Sequence, residues 1–141
     1  MPARPRTEET SARGPAPASV VTEYLTAYLS ADISKASSMV REDFSFRAPL
    51  VENTADKAIF FAGSERKAAY VRGFRILRQW QDGDDVSTLY ELDIRTREGE
   101  ASLLMHEWHK LAAGQIASTV MLFDTAAPGA RLLHQALGAA P

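Results

Sequence analysis

Between residues 86 and 124 the chain carries three β-rich runs in series, 86–95, 101–111 and 116–124, separated by Glu98-Gly99-Glu100 and by Ala112-Ala113-Gly114. No other feature constrains the fold as tightly. Period-2 runs with turn residues this close to their ends predict a meander of three antiparallel strands. In 101–111 both faces are largely apolar, with Leu103, Met105 and Leu111 on one and Leu104 and Trp108 on the other. In 116–124, Met121 and Phe123 oppose Ile116, Val120 and Leu122. An antiparallel sheet with one wet face alternates apolar with polar residues. Both sides of these strands are therefore expected to be covered, one by helices and the other by a second subunit.

Upstream, Val20, Val21, Tyr24, Leu25, Tyr28 and Leu29 recur at helical spacing behind Ser19, a residue suited to an N-cap. Asp32 is placed to cap a second helix running to about Val40. Phe44, Phe46 and Ala48 then alternate with Ser45 and Arg47 up to Pro49, the pattern of a strand that ends at a proline. Residues 50–62 give no clear pattern. Gly63 and Ser64 are read as opening a third helix to about Gln79, with Tyr70, Phe74 and Leu77 on one face and Arg66, Lys67, Arg72, Arg75 and Arg78 making it basic. That helix is expected to stop at the turn Asp82-Gly83-Asp84-Asp85.

The order helix, helix, strand, helix and three strands predicts an α+β domain over 19–125 with its helices gathered on one side of the sheet. Residues 1–18 hold four prolines and almost nothing to bury, and are expected to form a flexible tail. The extension 126–141 is rich in Ala and Gly, with Leu132, Leu133 and Leu137 spaced to line a short helix.

Composition narrows the chemistry. Sixteen Lys and Arg against eighteen Asp and Glu leave a net charge of -2, which provides no global field for nucleic acid or an anionic membrane. The absence of cysteine excludes disulfides, thiol nucleophiles and thiolate metal sites. No run approaches the length of a membrane span, and the N-terminus lacks the apolar stretch of a signal peptide, so a cytoplasmic location is expected. Phosphate-binding glycine loops and serine-nucleophile elbows do not occur, and no cofactor is implied. The run His106-Glu107-Trp108-His109 lacks the spacing of the helical zinc motif. On a strand His106 points away from Glu107 and His109, so no metal site is expected there.

Several fragments, in order and spacing, resemble the nuclear transport factor 2-like superfamily, in particular its SnoaL-like and ketosteroid-isomerase-like members. They are Tyr28-Leu29-Ser30-Ala31-Asp32-Ile33, the strand Phe44 to Pro49, the segment Ala62-Gly63-Ser64-Glu65, and the hairpin Glu107 to Ile116 closing at Phe123-Asp124. The resemblance implies a cystatin-like α+β barrel: a cone-shaped, curved, mixed or antiparallel sheet with three helices on its concave side. It also implies a small-molecule pocket protein, an isomerase or cyclase of apolar oxygen-bearing molecules (polyketide-like, terpenoid-like or steroid-like), or a non-catalytic ligand- or protein-binding module of the same fold. The catalytic tyrosine of ketosteroid isomerases falls at Tyr24, and the acid of their oxyanion hole falls near Glu107. The position of their proton-shuttling carboxylate is Ala48, which cannot take a proton. The positions that approximately match the Arg and Asp set of limonene epoxide hydrolases are Tyr90, Leu92 and Met121.

Placement on the inferred inward faces predicts a pocket lined by Tyr24, Tyr28, Phe46, Tyr90, Glu107, Met121 and Phe123. Tyr24, Glu107 and His109 are its candidate catalytic groups. Burial beside Met105 is expected to raise the pKa of Glu107, making it a neutral hydrogen-bond donor with Tyr24 as neighbour. The alternative is a carboxylate satisfied by Tyr24, His109 or an arginine. Expected partners are a small-molecule ligand and a second copy, joined through the outer sheet face that carries His106, Trp108, Val120 and Leu122.

Overall fold

The computed structural model describes residues 14–49, 51–54 and 56–138. Residues 1–13 of the expected tail lie outside them. The first helix, α1 (Pro17–Leu29), begins with Pro17, whose missing N–H lies where helix donors have no partner anyway. Ser19 therefore falls within the first turn, and Ala16 rather than Ser19 precedes the helix. Val21, Tyr24, Leu25 and Tyr28 form its buried stripe. Ala31, at φ 67°, turns the chain directly into α2 (Ile33–Ser38), where the Asp32 carboxylate accepts from the Lys35 N–H at 3.3 Å.

The strands are β1 (Val40–Ala48), β2 (Val51–Thr54), β3 (Val71–Asp82), β4 (Asp85–Thr96), β5 (Gly99–Ala112) and β6 (Gln115–Leu122). They form one six-stranded sheet in the order β2-β1-β6-β5-β4-β3. It is mixed, because β1 runs parallel to β6 while every other pair is antiparallel. Strand β4 shows the logic: Val86, Thr88, Tyr90, Leu92 and Ile94 are buried in strict alternation. This inner face packs beneath α1, α3 (Lys57–Ala68) and a C-terminal helix, α4 (Pro128–Gly138). Among the described residues three helices precede the meander, as the chain order requires, and α4 adds a fourth. Among the described residues no helix is long and apolar enough to cross a membrane.

The third helix lies elsewhere than its expected span of 63–79. It begins at Lys57, capped by Asp56 accepting from Ile59 N–H at 3.1 Å, and ends at Ala68, so Gly63 sits in its middle. Residues 71–82 are instead the edge strand β3. The reason is a β-bulge: Ile76 pairs with Tyr90 but Arg78 pairs with Leu89, leaving Leu77 as an extra residue. Parity flips there, so Phe74 and Ile76 before the bulge and Gln79 after it are the more buried positions. The broken alternation mimics helical spacing. The expected basic helical stripe disappears with it: Arg75 is held across the strands by Glu91 and Asp93, and Arg78 lies over Trp80 at 5.4 Å.

A second bulge acts on β6. Lys110 pairs with Ser118 and Leu111 with Ile116, so Ala117 is extra and Ile116 turns inward, away from the face assigned to it with Val120 and Leu122. The outer face keeps Leu77, Trp80, Leu104, Trp108 and Leu122, all between 45% and 56% exposed. Helix α4 covers the inner face near Leu103. A β-carbon on Gly129 would lie 2.9 Å from the Ser102 carbonyl oxygen, so only glycine permits this approach without a shift.

Candidate functional site

Glu107 and His109 stand two residues apart on β5 and therefore point to the same, inner face. Both are sealed from solvent, at 1% and 0% exposure. A buried carboxylate requires partners. Tyr90, diagonal to it on β4, donates its hydroxyl to Glu107 Oε2, and His109 Nε2 approaches Oε1 at 3.1 Å. That approach has the distance of an ion pair but not the alignment of a hydrogen bond. Among the described residues neither ring nitrogen of His109 completes a hydrogen bond.

Helix α1 brings two tyrosines over this pair. Tyr24 meets the His109 ring edge-on, with centroids 5.6 Å apart, and stacks on Tyr28 at 5.6 Å. Tyr28 in turn stacks on Phe60 of α3, and its hydroxyl accepts from Lys67 Nζ at 2.7 Å. The ammonium also lies 4.9 Å from the Tyr28 ring centre. Phe60 closes the cluster against Phe46, with ring centres 4.6 Å apart. A polar strap ties the start of α1 to β3, where Thr22 donates to Gln79 and Gln79 donates to the buried Thr88. Thr88 is the cross-strand neighbour of Glu107.

The ionisation of Glu107 reverses the expectation. Burial pushes its pKa up, as anticipated, but the His109 contact, the Lys67 charge and the Tyr90 hydroxyl together outweigh burial and hold it below the ordinary value. Glu107 is thus a carboxylate and not a neutral donor. Its hydrogen-bond donor is Tyr90, while Tyr24 reaches His109. Burial raises the pKa of Tyr24 well above that of a free tyrosine, with Tyr28 and Glu107 adding to it. Burial, reinforced first by the Glu107 charge, does the same for Tyr90. Lys67 is penalised by burial, yet Tyr28 and Glu107 raise its pKa on balance.

The other expected lining residues are buried at Tyr28, Phe46 and Met121, while Phe123 is half-buried just beyond β6. Met121 is the cross-strand partner of Glu107. A hollow of about 340 Å³ lies at the surface between α1 and α2, lined by Glu23, Thr26, Ala27, Ser30, Asp32 and Lys35. None of the expected lining residues borders it. Among the described residues no three His, Asp or Glu side chains gather to hold a metal ion.

Lys67, Thr119, Phe60 and Thr88 are members of the site that the sequence does not single out. Lys67 falls on the basic helix whose span the structure moves to Lys57–Ala68. Thr119 pairs with His109 across the strands and is buried, its hydroxyl without a partner among the described residues. Its parity with Met121 and Phe123 was the available signal.

No protein-family model matches the chain, and no curated protein sequence matches it. Solved structures do. An NTF2-like protein of unknown function from Cytophaga hutchinsonii superposes with a TM-score of 0.64 at 19% identity, covering 78% of this chain and 91% of that one. A hypothetical protein with a ketosteroid isomerase-like fold from Catenulispora acidiphila, in complex with trimethylamine, gives 0.62 at 13% identity over 72% and 82%. An LEH-like epoxide hydrolase from M. tuberculosis gives 0.66 at 15% identity over 84% and 86%. At these identities the likeness is one of fold. The chain thus shares the fold of these NTF2-like and ketosteroid isomerase-like proteins.

Proposed function

We propose that the protein is a SnoaL-like small-molecule pocket protein that moves a proton on an apolar, oxygen-bearing substrate, as an isomerase or cyclase. The observation that carries this reading is the sealed Glu107–His109 pair, whose ring Nδ1 has no partner among the described residues. A carboxylate beside Nε2 orients an imidazole and stabilises the imidazolium formed when the other nitrogen takes a proton. On this reading the base stands on β5 and not at position 48, where Ala48 offers none. The surrounding Tyr24, Tyr28, Phe46 and Phe60 suit an apolar ring. Entry to so closed a cluster requires an element to move.

The test is solvent-deuterium incorporation into an enolisable ring ketone, 2-tetralone, followed by proton NMR in D2O. Wild type is expected to accelerate exchange over buffer, and His109→Gln to lose about 10²-fold or more of that acceleration. Exchange no faster than buffer in wild type would refute proton transfer. Binding of the ketone without exchange would favour the second reading, a non-catalytic ligand-binding module, which the absence of a carboxylate at Ala48 supports. The exposed Trp80, Trp108, Leu104 and Leu122 form an apolar outer face suited to a second copy, and a homodimer through that face belongs to the same proposal.

A further inference from the structure

Thr119 is 2% exposed on β6 and its hydroxyl reaches no partner among the described residues. Its neighbour across the β5–β6 ladder is His109, fully buried and equally unpartnered at Nδ1. Directly paired residues on one face have their β-carbons about 4.5–5.5 Å apart, so a single ligand atom can reach both. The row continues with Phe46, which pairs with Thr119 from β1, and with Val86, which pairs with His109 from β4. Two unsatisfied polar groups thus sit side by side in an apolar row. Buried polar groups are satisfied in the great majority of proteins, and an exception points to an unmet partner.

We infer that Thr119 and His109 form a subsite for one neutral oxygen of the ligand, the hydroxyl of a phenol or cyclic enol. A threonine hydroxyl both donates and accepts, and a neutral imidazole nitrogen accepts. A phenolic O–H donates to His109 while its oxygen accepts from Thr119, and the ring lies against Phe46. An anionic oxygen is disfavoured, because the Glu107 carboxylate stands on the same strand face beside His109. The subsite names the substrate class for the pocket proposed above and rests on that reading. Thr119 contributes to binding at a cost in stability, since a buried hydroxyl without a partner weakens the fold.

The experiment measures binding of 2-naphthol, with 2-methylnaphthalene as the oxygen-free control, to wild type, Thr119→Val, Thr119→Ser and His109→Gln, together with their melting temperatures. Valine keeps the shape of threonine and removes the hydroxyl. Thr119→Val is expected to bind 2-naphthol about tenfold more weakly, to bind 2-methylnaphthalene as wild type does, and to melt a few degrees higher. Thr119→Ser is expected to restore naphthol affinity. If Thr119→Val leaves naphthol affinity unchanged while His109→Gln lowers it, the pocket stands and the subsite falls, the hydroxyl holding a structural water only. A lower melting temperature for Thr119→Val shows the hydroxyl to be satisfied within the fold and also overturns the subsite. If wild type binds neither aromatic compound, the pocket reading and the subsite fall together.

Discussion

Replacing Tyr90 with phenylalanine removes one oxygen and leaves the ring that packs against Phe74. The lost group donates to the Glu107 carboxylate, and both side chains are buried, at 0% and 1% exposure, so solvent neither screens nor replaces the bond. A hydrogen bond to a charged group contributes about 1.5–3 kcal/mol. The carboxylate keeps His109 and the Lys67 charge, and no cavity larger than an oxygen is created. The expected loss is therefore about 2 kcal/mol at pH 7, a fall in melting temperature of about 6–8 °C for a chain of this length. Urea unfolding at pH 7 measures it. In a Glu107→Gln background the bond becomes neutral, and Tyr90→Phe is expected to cost only about 1 kcal/mol. A penalty below about 0.5 kcal/mol at pH 7, or one unchanged by Glu107→Gln, would refute the view that an ionised carboxylate organises the site.

Other outcomes follow from the same structure. The lowered pKa of Glu107 means that its ionisation contributes stability above about pH 4.5 that is lost as pH falls through the folded value; Glu107→Gln should flatten the acid limb of the stability profile, and an unchanged limb would contradict the assignment. Tyr24, Tyr90 and Lys67 have raised values, so their contribution is complete below about pH 10 and is lost above it. Tyrosinate absorbance from Tyr24 and Tyr90 should therefore appear only with alkaline unfolding, and its appearance in the folded protein would count against their burial. Gly129→Val should displace α4 from Ser102, costing about 1–3 kcal/mol and raising the binding of a hydrophobic dye; wild-type stability would mean that α4 docks otherwise. Wild type should sediment at twice 15.5 kDa and Trp108→Arg as the monomer, while a monomeric wild type would remove the homodimer.

The sequence by itself determined the meander, because its turns and period-2 runs are local, and it placed Glu107 and His109 on one face opposite His106, because parity along an unbulged strand is a property of spacing alone. It likewise determined the capping of α2 by Asp32, a contact three residues long. The tertiary structure decided what spacing cannot carry. A bulge at Leu77 made an edge strand of residues that read as a helix, and a bulge at Ala117 turned Ile116 inward; both depend on how a neighbouring strand pairs. The charge of Glu107 was decided at longer range still. Burial favours the neutral acid, and His109, two residues along the same face and visible in the spacing, is the largest influence against it. The influences that join His109 in outweighing burial are the charge of Lys67, forty positions away on a helix whose place only packing established, and the Tyr90 hydroxyl from the next strand. Electrostatic energies depend on distances through space, and a sequence gives only distances along the chain.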